Sequence, residues 1–135
     1  MREWTERSLR NLDGIHADLR RVMDRALQDA PFAFVITEGL RTVARQKELV
    51  RIGASRTMRS RHLTGHAVDL VPWVDIDKDG KVEVEEMYSW PLYHRLAPVI
   101  KAAAKAEGVA IVWGGDWAKF RDGPHWELDR RVYPA

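Results

Sequence analysis

The chain has 135 residues, of which 45% are hydrophobic and 31% are charged; 22 basic and 20 acidic side chains give a formal net charge of +2, and there is no cysteine. This length is typical of one domain, and the composition excludes collagen-like, disordered and disulfide-stapled proteins. The absence of cysteine also excludes thiol nucleophiles, cysteine-ligated zinc and iron–sulfur clusters.

The predicted elements mix helices and strands. Apolar residues recur at helical spacing over residues 14–29, with Asp13 as the expected N-cap. In chain order, the pattern then predicts a strand at 33–37, a helix at 42–52, a strand at 67–74, a helix from 91 to about 107 that Pro98 kinks or splits, and strands at 110–113 and 124–128. Because strands and helices do not alternate regularly, we expect an α+β fold, a small single domain over residues 1–135 with a mainly antiparallel sheet flanked by helices.

Two histidines and one aspartate form the first candidate chemical site. His62 closes a predicted loop, Asp69 lies on the strand that follows, and His125 begins a later strand. Two imidazoles and one carboxylate would leave an open position on zinc, as in catalytic zinc sites. Spacing alone leaves open that these are surface or hydrogen-bonded side chains. The rival pair His62 and His66 has Leu63 where a zincin helix needs glutamate.

Two separated motifs resemble a known family. The segment Ser60-x-His62-x-x-Gly65-x-Ala67-x-Asp69 is similar to the S-x-H-x-x-G-x-A-x-D motif of the zinc D-Ala-D-Ala carboxypeptidases, which include the VanY and VanX peptidases. Residues 113–117 (WGGDW) and 122–127 (DGPHWE) resemble the phage endolysins that are L-alanyl-D-glutamate peptidases. The resemblance covers residues 15–128. It implies the α+β fold shared with the Hedgehog N-terminal domain, and it implies that His62, Asp69 and His125 are zinc ligands.

The resemblance also implies the catalytic groups. The family's catalytic base lies three residues before the last histidine ligand, which here is Asp122. Glu127 competes for that role because it shares a strand face with His125, and we assign it instead to substrate binding or to support of the metal. Residues 38–42 resemble the family's G-x-R-[ST] segment, which implies that Arg41 stabilises the developing oxyanion.

Four further side chains are predicted to contact substrate: Gln46, Ser60, Trp113 and Trp117. Ser60 opens the first motif, and Gln46 follows Arg41 by five residues. The two tryptophans flank the second motif, although most tryptophans belong to cores. His16 and His94 match no motif, so we expect them to be packing or surface residues.

The segment 75–86 matches the twelve-residue EF-hand loop position for position, with six acidic and two basic side chains. The predicted calcium ligands are Asp75, Asp77, Asp79, Lys81 through its carbonyl, Glu83 and Glu86. A strand before the loop and Pro91 after it depart from EF-hand flanks, which favours a lone calcium loop; a solvated acidic hairpin is the alternative. Because the loop follows Asp69 closely, we hypothesise that calcium orders the strand that bears this zinc ligand.

The resemblance implies a zinc endopeptidase that cuts the L-Ala–D-Glu bond of the peptidoglycan stem peptide and lyses the bacterial host. The alternatives are a D,D-carboxypeptidase or dipeptidase of the same family, and a non-catalytic calcium- or wall-binding module.

No secretory signal or membrane-spanning run is visible. We therefore expect a monomer, not inserted in a membrane, that accumulates in the host cytoplasm and reaches the wall through a separate hole-forming protein. The basic segment 41–61 indicates either attraction to an anionic envelope or simple solubility, and no nucleic-acid module is present.

Overall fold

Four strands form one antiparallel sheet in the computed structural model, which describes residues 1–134. The strands are β1 (Phe34–Glu38), β2 (Ala67–Pro72), β3 (Ile111–Trp113) and β4 (His125–Leu128). Their order in the sheet is β1-β2-β4-β3, and each of the three pairings is antiparallel. The sheet with its flanking helices confirms the predicted α+β fold.

The helices are α1 (Glu6–Leu12), α2 (Ala17–Asp29), α3 (Val43–Arg51), α4 (Val84–Met87) and α5 (Trp90–Glu107), with 3₁₀ turns at Arg61–Thr64 and Gly114–Asp116. The apolar sides of helices α2 and α5 pack against each other and, together with one face of the sheet, form the hydrophobic core. On β2, Val68 and Leu70 belong to this core, whereas Asp69 lies on the other face. Within the described chain, none of the helices is both long and apolar enough to cross a membrane.

The prediction of one helix over residues 14–29 was wrong at its start. Asp13 ends the short helix α1, which sequence periodicity missed because seven residues hold too few turns to establish a pattern. The next helix begins at Ala17, and its N-cap is His16, whose Nδ1 atom accepts a hydrogen bond from the backbone N–H of Asp18 at 3.0 Å. His16 is therefore a helix cap rather than only a packing residue.

The predicted split of the helix at Pro98 does not occur, because α5 continues from Trp90 to Glu107, and the alternative of a kink stays a prediction. Proline removes one backbone N–H donor and leaves the carbonyl four residues earlier without its helical partner. That carbonyl belongs to His94, and both residues are exposed, so water can satisfy it. The helix ends as predicted at Gly108, which takes the left-handed conformation with φ of 70°.

Candidate active site

One row of the sheet brings three polar side chains together. Glu38 of β1 lies opposite Asp69 of β2, and Asp69 lies opposite His125 of β4. An irregularity in β1 between Ile36 and Glu38 shifts the register so that Glu38 joins this row. Since strand side chains alternate between faces, the row projects from the face of β2 opposite Val68 and Leu70. The site is thus a product of strand pairing between segments distant in sequence.

His62 enters the site from the 3₁₀ turn that precedes β2. The hydroxyl of Ser60 accepts a hydrogen bond from the His62 backbone N–H at 3.2 Å and caps the turn. The turn ends at Gly65, which has φ of 74° and on which a Cβ atom would collide with the Gly14 carbonyl. The His62 Nδ1 atom lies 2.8 Å from the Gly39 carbonyl oxygen, so this nitrogen donates and the Nε2 lone pair faces Asp69.

The three predicted zinc ligands form one cluster. Asp69 Oδ1 lies 3.3 Å from His62 Nε2 and 3.3 Å from His125 Nδ1. Tetrahedral zinc with bonds of about 2.0 to 2.1 Å places its ligand atoms about 3.3 to 3.4 Å apart. These donors therefore fit a zinc ion with an open coordination position. His66 stays outside the cluster, as predicted, and its Nδ1 atom lies 2.7 Å from the Thr64 hydroxyl.

The outer nitrogen of His125 is held by a second carboxylate. His125 Nε2 lies 2.9 Å from Glu127 Oε1, and both residues are buried. Donation from Nε2–H to this carboxylate leaves the Nδ1 lone pair free to face Asp69, the arrangement that orients histidine ligands in zinc sites. Glu127 is in turn paired with Arg130 at 3.2 Å. This position favours the second of the two roles predicted for Glu127, support of the metal site, and substrate contact by Glu127 stays a prediction.

The electrostatics of the cluster favour a bound cation. Burial alone would raise the pKa of Asp69, but the neighbouring His125 and His62 rings outweigh it and hold this pKa well below its usual value. Burial opposes a positive charge on His125, yet the Asp69 and Glu127 carboxylates raise its pKa to about 9. The cluster thus contains ionised carboxylates that stabilise positive charge at the position where the three donors converge.

Arg41 is fixed on the side of the cluster nearest β1. Its Nε and one terminal nitrogen donate to the two carboxylate oxygens of Glu38 at 2.6 and 2.7 Å. Its other terminal nitrogen donates to Gln46 Oε1 at 2.7 Å and to the Ser60 hydroxyl at 3.4 Å. The guanidinium lies 3.9 Å from Asp69 Oδ2, so a rigid cation stands beside the metal ligands.

Two of these partners change the predictions made from sequence. Gln46 is fully buried, and its amide donates to the Ser55 hydroxyl at 2.9 Å and to the Thr57 carbonyl at 2.5 Å. It therefore positions Arg41 and the loop after α3. Because Gln46 has no exposed surface, it cannot make the substrate contact that the sequence predicted. Glu38 was missed, although its place at the end of a strand and three residues before Arg41 was a usable signal.

A groove of about 590 Å³ opens over the cluster. Asp122, Trp117 and Ser60 line this groove, which is the position that the predicted base and two of the predicted substrate-contacting residues require. The Trp117 ring lies 5.1 Å from the His125 ring. Burial and the nearby charge of Asp69 raise the pKa of Asp122 despite the opposing charges of the histidines and Arg41. A carboxyl with a raised pKa is suited to proton transfer near neutral pH.

Trp113 was predicted to line the groove, and the structure places it in the core instead. It is 4% exposed, stacks on Trp126 with ring centroids 5.6 Å apart, and donates from Nε1 to the Gly123 carbonyl at 2.8 Å. Because β3 pairs Trp113 directly with Trp126, both rings extend toward the helices. Trp113 therefore supports the loop that carries Asp122, and it does not line the groove in which substrate would bind.

The acidic segment folds into a loop followed by the short helix α4, which sequence analysis missed. Carboxylate oxygens of four predicted calcium ligands lie within 4.8 Å of one another: Asp75, Asp77, Asp79 and Glu86. Gly80 supplies the turn with φ of 89°, and its N–H donates to Asp75 at 2.7 Å. Glu83 lies outside this group of four side chains, and the predicted ligation through the Lys81 carbonyl stays a prediction. A hydrogen bond with Asp79 and the surrounding negative charge raise the pKa of Glu83 to about 7.

Comparison with known proteins places this geometry among peptidases. The family model of the phage L-alanyl-D-glutamate peptidases matches residues 2–134. The L-alanyl-D-glutamate peptidase of Listeria phage A118 is 35% identical over 131 residues, which are 94% of this chain and 42% of that protein. The chain therefore spans less than half the length of this phage relative.

Two solved structures share the fold. The L-Ala D-Glu endopeptidase ChiX of Serratia marcescens aligns with 43% identity and a TM-score of 0.84 over 98% of this chain and 93% of that one. The vancomycin-resistance D,D-dipeptidase VanXYg aligns with 16% identity and a TM-score of 0.53 over 84% of this chain and 50% of that one. The second alignment supports the fold alone, and it confirms the predicted D,D-peptidase-like architecture.

Proposed function

The chain belongs to the phage L-alanyl-D-glutamate peptidase family, and from that premise we propose that it is a zinc-dependent endopeptidase that cuts the L-Ala–D-Glu bond of the peptidoglycan stem peptide. The observation that carries this proposal is the arrangement of His62, Asp69 and His125 at the floor of a groove. Arg41 and Asp122 line the same groove. A metal site, a fixed cation and a carboxyl with a raised pKa are the components of metal-assisted amide hydrolysis.

His62, Asp69 and His125 would hold the zinc ion, since their donor atoms have the spacing that tetrahedral coordination requires. Zinc bound there supplies Lewis acidity toward a carbonyl oxygen and toward water. Glu127 fixes the ring of His125, and the Gly39 carbonyl fixes the ring of His62. Both imidazoles are thus held before any metal binds, which lowers the cost of organising the site.

Asp122 serves as the general base and then as the general acid. Its carboxylate accepts a proton from the attacking water, and the carboxylic acid then gives this proton to the leaving amine. Burial and the charge of Asp69 raise the pKa of Asp122, whereas the cationic groups of the site oppose this shift. Arg41 faces the same groove and stabilises negative charge that develops on the scissile carbonyl oxygen, because Glu38 and Gln46 hold its guanidinium in one orientation.

Zinc dependence is tested by preparing the protein with zinc, stripping it with a chelator and restoring the metal. We expect one zinc ion per chain, loss of peptide release from purified peptidoglycan after stripping, and recovery with added zinc. The variant Asp69→Asn should retain neither the ion nor the activity, whereas Asp116→Asn, an exposed acid outside the cluster, should retain both. Full activity without metal would contradict the proposal. Binding to the wall without any cleavage would instead favour the non-catalytic module.

Calcium is a second proposed cofactor, held by Asp75, Asp77, Asp79 and Glu86 with Lys81 and Glu83 at the remaining EF-hand positions. The proposal is supported by the convergence of four carboxylates, which repel one another unless a cation lies among them. The loop begins three residues after β2 ends, so its order would influence the strand that bears Asp69.

The calcium proposal is tested with the double variant Asp75→Asn/Asp77→Asn, with Glu85→Gln as a control because Glu85 lies in the same segment but outside the group of four. Calcium should raise the melting temperature and the activity of the wild type and of the control, and a calcium chelator should reverse both effects. Equal activity with and without calcium would reject a regulatory role, and an unchanged melting temperature would reject binding.

We also propose that the protein acts in lysis of a bacterial host as a monomer, made in the host cytoplasm and active on the wall after a hole-forming protein gives it access. The support is the family's phage membership. Expression in a bacterium should leave cells intact until a membrane-permeabilising agent is added, and the Asp122→Asn variant should leave them intact afterwards. Lysis by the wild type without permeabilisation would contradict the need for a hole-forming partner.

A further inference from the structure

Arginine dominates the cationic side chains of the groove. Five arginines line it, against four carboxylates: the arginines are Arg41, Arg56, Arg61, Arg121 and Arg130, and the carboxylates are Glu38, Asp69, Asp122 and Glu127. A bound zinc ion would add two further positive charges. The groove is therefore suited to a ligand that carries negative charge close to the bond to be cut.

Three of the five arginines are already engaged. Arg41 is paired with both oxygens of Glu38. Arg61 is 5% exposed and donates to the backbone carbonyls of Leu128 and Tyr133 at 3.1 and 2.7 Å. Arg130 is paired with Glu127 at 3.2 Å. Arg61 and Arg130 hold the protein's own groups in place, and Arg41 faces the scissile carbonyl, so none of the three is assigned to a separate charged group of the substrate.

Arg56 and Arg121 differ from the other three. Neither forms an ion pair with any residue between 1 and 134, and both are exposed along the groove. Arg56 comes from the loop after α3, and Arg121 comes from the loop before β4. The two unpaired cations thus extend from two separate loops that both contribute to the groove wall.

The guanidinium of Arg56 is oriented by an aromatic ring. Its central carbon lies 4.0 Å from the centroid of the Phe120 ring. Phe120 has a positive φ of 54°, which is uncommon for a bulky residue, and its side chain is exposed beside Arg121. Contact with the ring restricts the position of the guanidinium without using its N–H donors, which stay available for a carboxylate to bind in a bidentate manner.

The position of Arg121 in the chain suggests which side of the scissile bond Arg56 and Arg121 recognise. Arg121 directly precedes Asp122, the group that gives a proton to the leaving amine. In an L-Ala–D-Glu bond the leaving amine belongs to the glutamyl residue. A glutamyl residue has two carboxyl groups, so one remains free and ionised whichever of them continues the chain. Its negative charge therefore lies on the same residue as the leaving amine that Asp122 protonates, and Arg121 and Arg56 are the unpaired arginines that line the groove together with Asp122.

We propose that Arg56 and Arg121 form an anion subsite that binds the free carboxylate of the D-glutamyl residue and so determines specificity on the leaving-group side of the bond. This inference rests on the proposed endopeptidase function and adds to it the substrate group recognised. The subsite discriminates a glutamate from its uncharged amide, because an amide offers the two guanidiniums no charge and only one acceptor atom.

The test compares two synthetic peptides that are blocked at both ends and contain L-Ala–D-Glu, one with the free glutamyl carboxylate and one with that carboxyl as a primary amide. We expect the wild type to have a kcat/KM about tenfold higher for the acid, in line with the strength of charge-assisted hydrogen bonds. The double variant Arg56→Gln/Arg121→Gln should lose this preference by losing kcat/KM on the acid alone. Arg45→Gln removes an exposed arginine outside the groove and should keep the preference.

The amide peptide keeps the outcomes separate, because its cleavage reports an intact, folded catalytic site in every variant. Equal rates on the two peptides in the wild type, or an unchanged preference in the double variant, would overturn the anion subsite and leave the endopeptidase function standing. Cleavage of neither peptide between L-Ala and D-Glu by the zinc-loaded wild type would overturn the proposed function itself, and the subsite with it.

Discussion

The Nε2 atom of His125 lies 2.9 Å from Glu127 Oε1, while Nδ1 of the same ring lies 3.3 Å from Asp69 Oδ1. One imidazole is thus held between a buried supporting carboxylate and a metal-facing carboxylate. The i, i+2 spacing on β4 makes this possible, because both side chains extend from the same face of the strand. Glu127 is fixed in turn by Arg130, so the ligand ring is anchored through two successive contacts.

Replacing Glu127 with glutamine should weaken zinc binding. The neutral amide keeps an acceptor for Nε2–H but removes the charge that makes the imidazole a stronger ligand, and we expect a loss of about tenfold in zinc affinity. Competition against a chromogenic chelator measures this affinity directly. Glu48→Gln alters an exposed acid on α3 and should bind zinc as the wild type does. Equal affinities for Glu127→Gln and the wild type would contradict a metal-supporting role.

Replacing Asp122 with asparagine should reduce kcat by about 10² to 10⁴ because the amide cannot transfer a proton. Zinc content and the melting temperature should stay close to those of the wild type, since Asp122 is not one of the three ligands. The matched control is Asp116→Asn, an exposed acid in the same segment that pairs with Lys101. Turnover assays with metal analysis check both expectations. A variant with wild-type kcat would show that another group moves the proton.

Replacing Glu38 with glutamine should lower kcat more than it changes KM. Glu38 holds two nitrogens of Arg41, so its loss of charge frees the guanidinium to rotate away from the developing oxyanion. We expect a fall of about tenfold to 100-fold in kcat, smaller than the loss on removing Arg41 itself. Steady-state kinetics on a defined peptide separates the two parameters. If only KM rises, Arg41 binds the ground state and transition state alike.

Asp129 should contribute an acid-sensitive part of the stability. Hydrogen bonds from the side chain and backbone of Arg131 lower its pKa to about 2, below its value in the unfolded chain. A lowered folded-state pKa stabilises the protein above about pH 4, and this contribution is lost as the pH falls toward 2. Denaturant unfolding at several pH values should therefore show a shallower acid loss for Asp129→Asn than for the wild type. Identical pH profiles would contradict this account.

The convergence of His62, Asp69 and His125 beside Asp122 was predictable because the residues lie in two short motifs. His62 and Asp69 lie in one short motif around a turn and a strand, and Asp122 and His125 lie in another. Spacing alone left the metal site open, and the resemblance of these two motifs to a peptidase family is what indicated it.

The supporting residues depend on contacts that are distant in sequence. Glu38 joins the site only because β1 pairs with β2 in an irregular register, which its own segment does not specify. Trp113 was predicted to line the groove because it lies in a motif. The face of the sheet on which its ring lies is set instead by pairing with Trp126, which the motif does not reveal. Gln46 could be read as substrate-binding only while its burial was unknown. Tertiary packing decides all three.

The most direct test of the central claim is to digest purified peptidoglycan with the zinc-loaded protein and identify the new chain ends by mass spectrometry. The account predicts new N-terminal D-glutamate with L-alanine as the new C-terminus, absent from the Asp122→Asn digest and from a digest with chelator. Release of D-alanine would identify a D,D-carboxypeptidase instead. No chelator-sensitive product would contradict a zinc peptidase of either kind.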